Sequence, residues 1–159
     1  MLTSIRSVLA LCVVASACYK SPVPISTEAV AYDAELVGTW QIDDSDSDQL
    51  SVLQFDNGYY YIEMPWNLGR ADTTRLRARA YLTNVDGSTF VNVQDIQGEE
   101  RAYTFYKLIK HSNRSVTLIP LKDMPRFATP NELATYLRSH LTDSAIYDNE
   151  ARFRKVSAR

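Results

Sequence analysis

Cysteine is almost missing from this chain. It has two, Cys12 and Cys18, and both fall within the first eighteen residues. From Tyr19 onward there is no thiol, which excludes a disulfide framework, a cysteine metal centre and a cysteine nucleophile. Histidine is as scarce: His111 and His140 stand alone, with no His-x-x-His spacing, so zinc-ligand spacing is lacking. The 5 glycines form no phosphate-cradling loop, and neither Gly-x-Ser-x-Gly nor Ser-x-x-Lys occurs. We therefore read the chain as a non-enzyme without a cofactor. Basic excess is also missing: 17 Lys+Arg face 19 Asp+Glu, for a net charge of −2. Nucleic acid is excluded as a partner, because phosphate binding needs a basic face. The longest apolar run near the start, Val8 to Ala17, is ten residues. A membrane-crossing helix needs about 20.

What is present begins with that run. Arg6 and the amino terminus precede it, and small residues end it, which is the layout of a secretory signal. Ala15-Ser16-Ala17-Cys18 resembles the lipobox of bacterial lipoproteins, although Ala15 stands where that family more often has Leu. The resemblance implies a signal peptide over 1–17 and acylation of the Cys18 sulfur and new amino group. Two or three acyl chains anchor stably, at about 0.8 kcal/mol per buried methylene. The partner implied is the lipid bilayer. Tyr19, rather than Asp, follows the cysteine, which by the family's sorting rule points to the outer membrane. The alternative is ordinary cleavage after Ala17, leaving Cys18 as a free thiol. Residues 18–34, with Pro22 and Pro24 and no apolar periodicity, read as a lipidated start and flexible tether.

From residue 35 the patterning has period two. Strands are expected over 36–43, 50–55, 59–64, 75–85, 88–96, 101–110, 114–121 and 150–156. Asp56-Asn57-Gly58 and Asp86-Gly87 supply tight turns. Thr129-Pro130-Asn131-Glu132 is a capping box with proline at the first helical position, and Leu133, Tyr136, Leu137 and Leu141 recur at helical spacing. An amphipathic helix over about 130–142, packed on the sheet, follows. The fold class is mainly β: an antiparallel meander of about eight strands that closes into a barrel, or else an open sheet or sandwich.

Gly38-Thr39-Trp40 opens the first strand. This Gly-x-Trp resembles the signature of the lipocalins and wider calycins. The resemblance implies that 35–159 is a lipocalin-like barrel and that Gly38 and Trp40 close one end. It further implies that Arg152 or Arg154 of the last strand stacks over the tryptophan. The Thr-Asp-Tyr motif of lipocalins has no match, and the helix precedes the last strand instead of following it. The implied partner is a small apolar or amphipathic ligand.

Candidate ligand contacts are the aromatic positions Tyr59, Tyr61, Trp66, Tyr103 and Phe105, which we place on inward-facing strand positions or the barrel rim. Arg75, Arg77 and Arg79 share one face of a strand, read as water-facing. Asp43, Asp44, Asp46 and Asp48 imitate the start of a calcium loop, but Gln49 and Phe55 occupy the required glycine and glutamate positions, so the EF-hand pattern fails. The other reading of the domain is a structural protein docking an envelope partner. Inhibition of a cell-wall hydrolase is one case of it, by analogy of fold alone.

Overall fold

The computed structural model describes residues 19–30, 32–43, 49–65, 75–97 and 101–156. Among them are the strands β1 (Gly38–Ile42), β2 (Gln49–Asp56), β3 (Tyr59–Pro65), β4 (Arg75–Val85), β5 (Ser88–Asp95), β6 (Tyr103–Ser112), β7 (Ser115–Pro120) and β8 (Ala151–Lys155), with one α-helix, α1 (Pro130–His140). All neighbours pair antiparallel, and β8 returns to β1, so the sheet is a closed barrel in simple chain order. The choice between barrel and open sheet is thus settled in favour of closure. Closure leaves no strand edge exposed.

Turn chemistry sets the register. Asp86 and Gly87 both have positive φ, 46° and 83°, the conformation a two-residue hairpin turn demands. With Asn57-Gly58 and Asn113-Arg114, they make tight hairpins at one end of the barrel. The longer connections β1–β2, β3–β4, β5–β6 and β7–β8 all lie at the other end, which we call the loop end. Helix α1 sits in the last of these. Its capping box is complete, with the Thr129 hydroxyl accepting from the Glu132 N–H and the Glu132 carboxylate accepting from the Thr129 N–H.

The molecule has two cores, one inside the barrel and one outside it. Trp40, Leu50, Val52, Tyr60, Ala80, Leu82, Val116, Ala151 and Phe153 make the inner one. The outer core is Phe90 and Phe105 on the outer wall, covered by Leu133 and Leu137 of α1 together with Ile25, Leu121, Met124 and Ile146. This is why β4–β6 are apolar on both faces: one face lines the barrel and the other lies under a lid of helix and chain.

Residues 19–30 and 32–34 depart from the expected tether. They form a strap. Ser21 exchanges backbone hydrogen bonds with Tyr103 at 2.9 and 2.8 Å. The Ile25 N–H donates to Asn92 Oδ1 at 2.9 Å, and Tyr81 Oη donates to the Ser26 carbonyl at 2.6 Å. The Val30 N–H donates to the Leu82 carbonyl at 2.9 Å. Ile25 is 1% exposed. The segment bends at Pro22, Val23, Ile25, Thr27 and Glu28 as it follows the wall. Its few apolar side chains shield Phe90 and Phe105, which would otherwise face water.

Ile25→Ala is therefore expected to destabilise the domain by about 2–4 kcal/mol in urea unfolding. A free tether would show no change.

Candidate functional site

Alternation along the strands decides what lines the lumen. Trp40 on β1, Leu50 and Val52 on β2, Tyr60 and Ile62 on β3, and Ala80 and Leu82 on β4 point inward. With Val91, Leu108, Val116, Leu118, Phe153 and Leu36 they surround a cavity of about 60 Å³. Apart from the indole nitrogen and one phenol, every lining side chain is hydrocarbon. An apolar void of this kind stays dry.

The tyrosine run of β3 is off by one position from expectation. Tyr60 pairs with Ala80 and faces in; Tyr61 pairs with Arg79 and faces out with Tyr59. Tyr59 lies edge-on to Tyr81, at 5.2 Å between centroids, and under the Arg79 guanidinium at 5.0 Å. Tyr103 and Phe105 are also on the outer wall, Phe105 fully buried in the outer core. These four are not lumen contacts. Three tyrosines in succession carry no parity signal, so only the cross-strand register could assign them. Trp66 lies outside the described residues, as do Cys18, Asp44, Asp46 and Asp48. Of the arginine row, Arg77 and Arg79 face outward: Arg77 is exposed, and Arg79 donates to Gln94 Oε1 at 2.9 Å. The Arg75 side chain lies outside the described residues.

At the hairpin end the lumen is stoppered. Residues 32–36 cross the opening, ending in a 3₁₀ turn at Ala34–Leu36. Tyr32 stacks on Tyr60 at 5.1 Å, and the Tyr60 hydroxyl accepts from the Asp33 N–H at 2.8 Å. Trp40 is 2% exposed and donates its indole N–H to the Leu36 carbonyl at 2.8 Å. The cation over its ring is Lys155, with Nζ at 5.1 Å, which also donates to the Glu35 carbonyl at 2.6 Å. Arg152 and Arg154 do not fill that role. They alternate outward from β8, exposed, between the inward Ala151, Phe153 and Lys155, and Arg154 instead faces Asp43 at 3.8 Å. Gly38 has φ of 141°, and a Cβ there would meet Lys155 Cε at 2.7 Å. The glycine of Gly-x-Trp is thus required by its backbone conformation, while the lysine end above it is flexible enough to shift.

A second clamp on the plug is the Lys110 ammonium, 2.7 Å from Asp33 Oδ2 and 2.5 Å from Glu35 Oε2. Burial works to raise the Asp33 pKa, but hydrogen bonds from Lys110 and the Glu35 N–H, with the charges of Lys110 and Lys155, outweigh it and hold the carboxyl below its ordinary value. The same hydrogen bonds to Asp33 and Glu35 raise Lys110. No feature of the sequence pattern singles out this triad; residues 33 and 110 meet only because the strap returns across the barrel.

The histidines are occupied locally. His111 Nε2 lies 2.9 Å from the Thr117 hydroxyl, and His140 Nδ1–H donates to the Tyr136 carbonyl near the helix C-terminus. Among the described residues, no three His, Cys, Asp or Glu side chains gather around a possible metal position.

Fold and lumen together define a class: an eight-stranded antiparallel barrel, stoppered at one end and flanked by a helix, compatible in form with the lipocalin-like barrels. No family model, curated protein or solved structure matches the chain.

The clamp has a defined pH range. Asp33 contributes above the ordinary carboxylate pKa of about 4, and its share is lost as pH falls through its lowered value. Lys110 contributes below about 10.4, and its share is lost as pH rises through its raised value. Lys110→Met is expected to lower stability at pH 7 by up to about 1 kcal/mol, the range for a partly exposed pair. Urea titrations should show that difference shrinking toward zero at about pH 2. A difference that persists there would assign the effect to the lysine stem.

Proposed function

We propose that the protein is a bacterial lipoprotein, anchored through acyl chains on Cys18, whose barrel lodges a small apolar group in its lumen. The observation that carries the ligand half is the lining: thirteen side chains, nearly all hydrocarbon, around an unfilled space inside a closed barrel. Such a space offers dispersion contacts and no hydrogen-bond donor for a head group to find, apart from the Tyr60 and Trp40 dipoles already spent on the plug. Its size sets the ligand. Pockets for drug-sized molecules run to about 300–1,000 Å³. A cavity of about 60 Å³ accepts a short alkyl group or the tip of a chain, not a whole lipid. The anchor half is supported by the Arg6 charge, the uncharged run Val8–Ala17 and the small residues before Cys18. Those features address the chain to the envelope, and Tyr19 after the cysteine favours the outer membrane. No reacting group is needed in this reading, and the role is non-enzymatic.

A second reading, an envelope protein docking on the outer wall, is favoured by one specific feature. Phe55 and Leu53 point outward from β2 and are 61% and 49% exposed, and Tyr61 stands opposite Leu53 on β3.

Native mass spectrometry of protein extracted from its host membrane is expected to show acyl mass on Cys18. Xenon or a short alkane is expected to raise the melting temperature of the wild type. Ala80→Leu, which fills the lumen from a fully buried wall position, should abolish that rise. A chain without acyl mass overturns the anchor. A wild-type barrel whose melting is unmoved by either probe overturns the lumen.

A further inference from the structure

The strap leaves no slack between the lipidated residue and the folded body. Tyr19 is already part of the wall: its N–H donates to the Leu121 carbonyl at 3.2 Å, its hydroxyl donates to the Pro125 carbonyl at 2.6 Å, and its ring packs beside Phe105 at 6.3 Å. Cys18 is the next residue along the chain, with its Cα about 3.8 Å from that of Tyr19. Acyl chains on Cys18 must enter the hydrocarbon layer, so the bilayer surface has to come within a side-chain length of Tyr19. On this basis, which rests on the lipoprotein reading above, we propose that the face around Tyr19 docks flat on the bilayer, turning the loop end of the barrel toward the lipid and the stoppered hairpin end away.

The position of Tyr19 on the barrel gives the orientation. It sits where β6 begins and β7 finishes, beside the Ser21–Tyr103 bridge and Leu121. Ten residues later the strap has crossed to the hairpin end, where Ala29 lies against Gly58 of the β2–β3 turn. The two ends of the strap therefore mark the two ends of the molecule.

The chemistry of the face fits a lipid surface. Lys20 and Arg126, both exposed, flank Tyr19 and Pro125. Phe127 packs on Tyr136 at 5.2 Å, which puts a second aromatic pair beside the first. Tyrosines that are part apolar and part hydrogen-bonded suit the headgroup layer, and cations near it attract anionic lipid. Acids stand at this end too: Asp123 and Glu150 are exposed, Asp43 faces Arg154 at 3.8 Å, and Asp148 is engaged by Lys122 at 3.8 Å. The partner is accordingly a bilayer, met by the aromatic side chains around Tyr19.

The test uses the full chain, processed in its host and reconstituted into vesicles containing lipids with nitroxide-labelled headgroups. Arg126→Cys and Asn57→Cys each carry a fluorophore; both positions are exposed, and an acylated Cys18 does not react. Quenching is expected to be several-fold stronger at 126 than at 57. Acyl mass on Cys18 with equal quenching at both positions overturns the docked face and leaves the anchor standing. Quenching stronger at 57 than at 126 overturns it as well. A chain lacking acyl mass overturns the anchor and this proposal together, and the mass spectrum tells the cases apart.

Discussion

The seam between β1 and β8 is the joint on which the remaining architecture hangs. Only a few residue pairs close it: Trp40 with Lys155, Gln41 with Arg154, and Ile42 with Phe153. A sheet of this length left open would expose two edges and spill its inner core into water. At the seam the chain places its largest inner side chain, Trp40, hydrogen-bonds it to Leu36, and covers it with the Lys155 ammonium. The lysine then ties the seam to the plug through the Glu35 carbonyl. One residue thus belongs both to barrel closure and to barrel stoppering. Gly38, at a φ of 141°, supplies the backbone turn at the start of the seam.

The second organising feature is the use of both faces of the sheet. A small barrel has room inside for only one layer of side chains, and the inner set here nearly fills it. Further apolar burial has to come from outside, and α1 and the strap supply it by trapping Phe90 and Phe105 against the outer wall. Asn92, wholly buried, accepts from the Ile25 N–H and donates to the Thr83 hydroxyl at 3.0 Å, which fixes the strap in one register along the wall. The consequence for function is mechanical. Because Tyr19 is hydrogen-bonded to the wall at Leu121 and Pro125, the proposed anchor at Cys18 would set the body's orientation as well as its address.

Strand existence and order were legible because period-two patterning and the Asn-Gly and Asp-Gly turns are local signals. The helix was legible for the same reason, its capping box and leucine spacing all lying within a dozen residues. The site was legible only in outline. Trp40 and Gly38 were found by their motif, but the cation over Trp40 was assigned to Arg152 or Arg154 when it is Lys155. Three basic residues within four positions look alike in sequence, and only the pleat tells inward from outward. Tyr59 and Tyr61 were placed inward by the same one-residue ambiguity in Tyr59-Tyr60-Tyr61, where Tyr60 is the one that faces in. The strap was missed because a segment with two prolines and no periodicity looks the same whether it drifts in water or lies on a wall.

What the sequence determined by itself was whatever depends on near neighbours: eight strands in hairpin order, tight turns, a capped helix, and a chain free of thiols after Cys18. Tertiary structure decided closure, the parity of each strand, the meeting of Asp33 and Glu35 with Lys110, and the docking of Tyr19 through Val30 on the outer wall. The division is physical. Local signals record the conformation of a residue and its nearest companions. A pairing such as Lys110 with Asp33 is stabilised only after the chain between them has folded into a cylinder that returns one to the other.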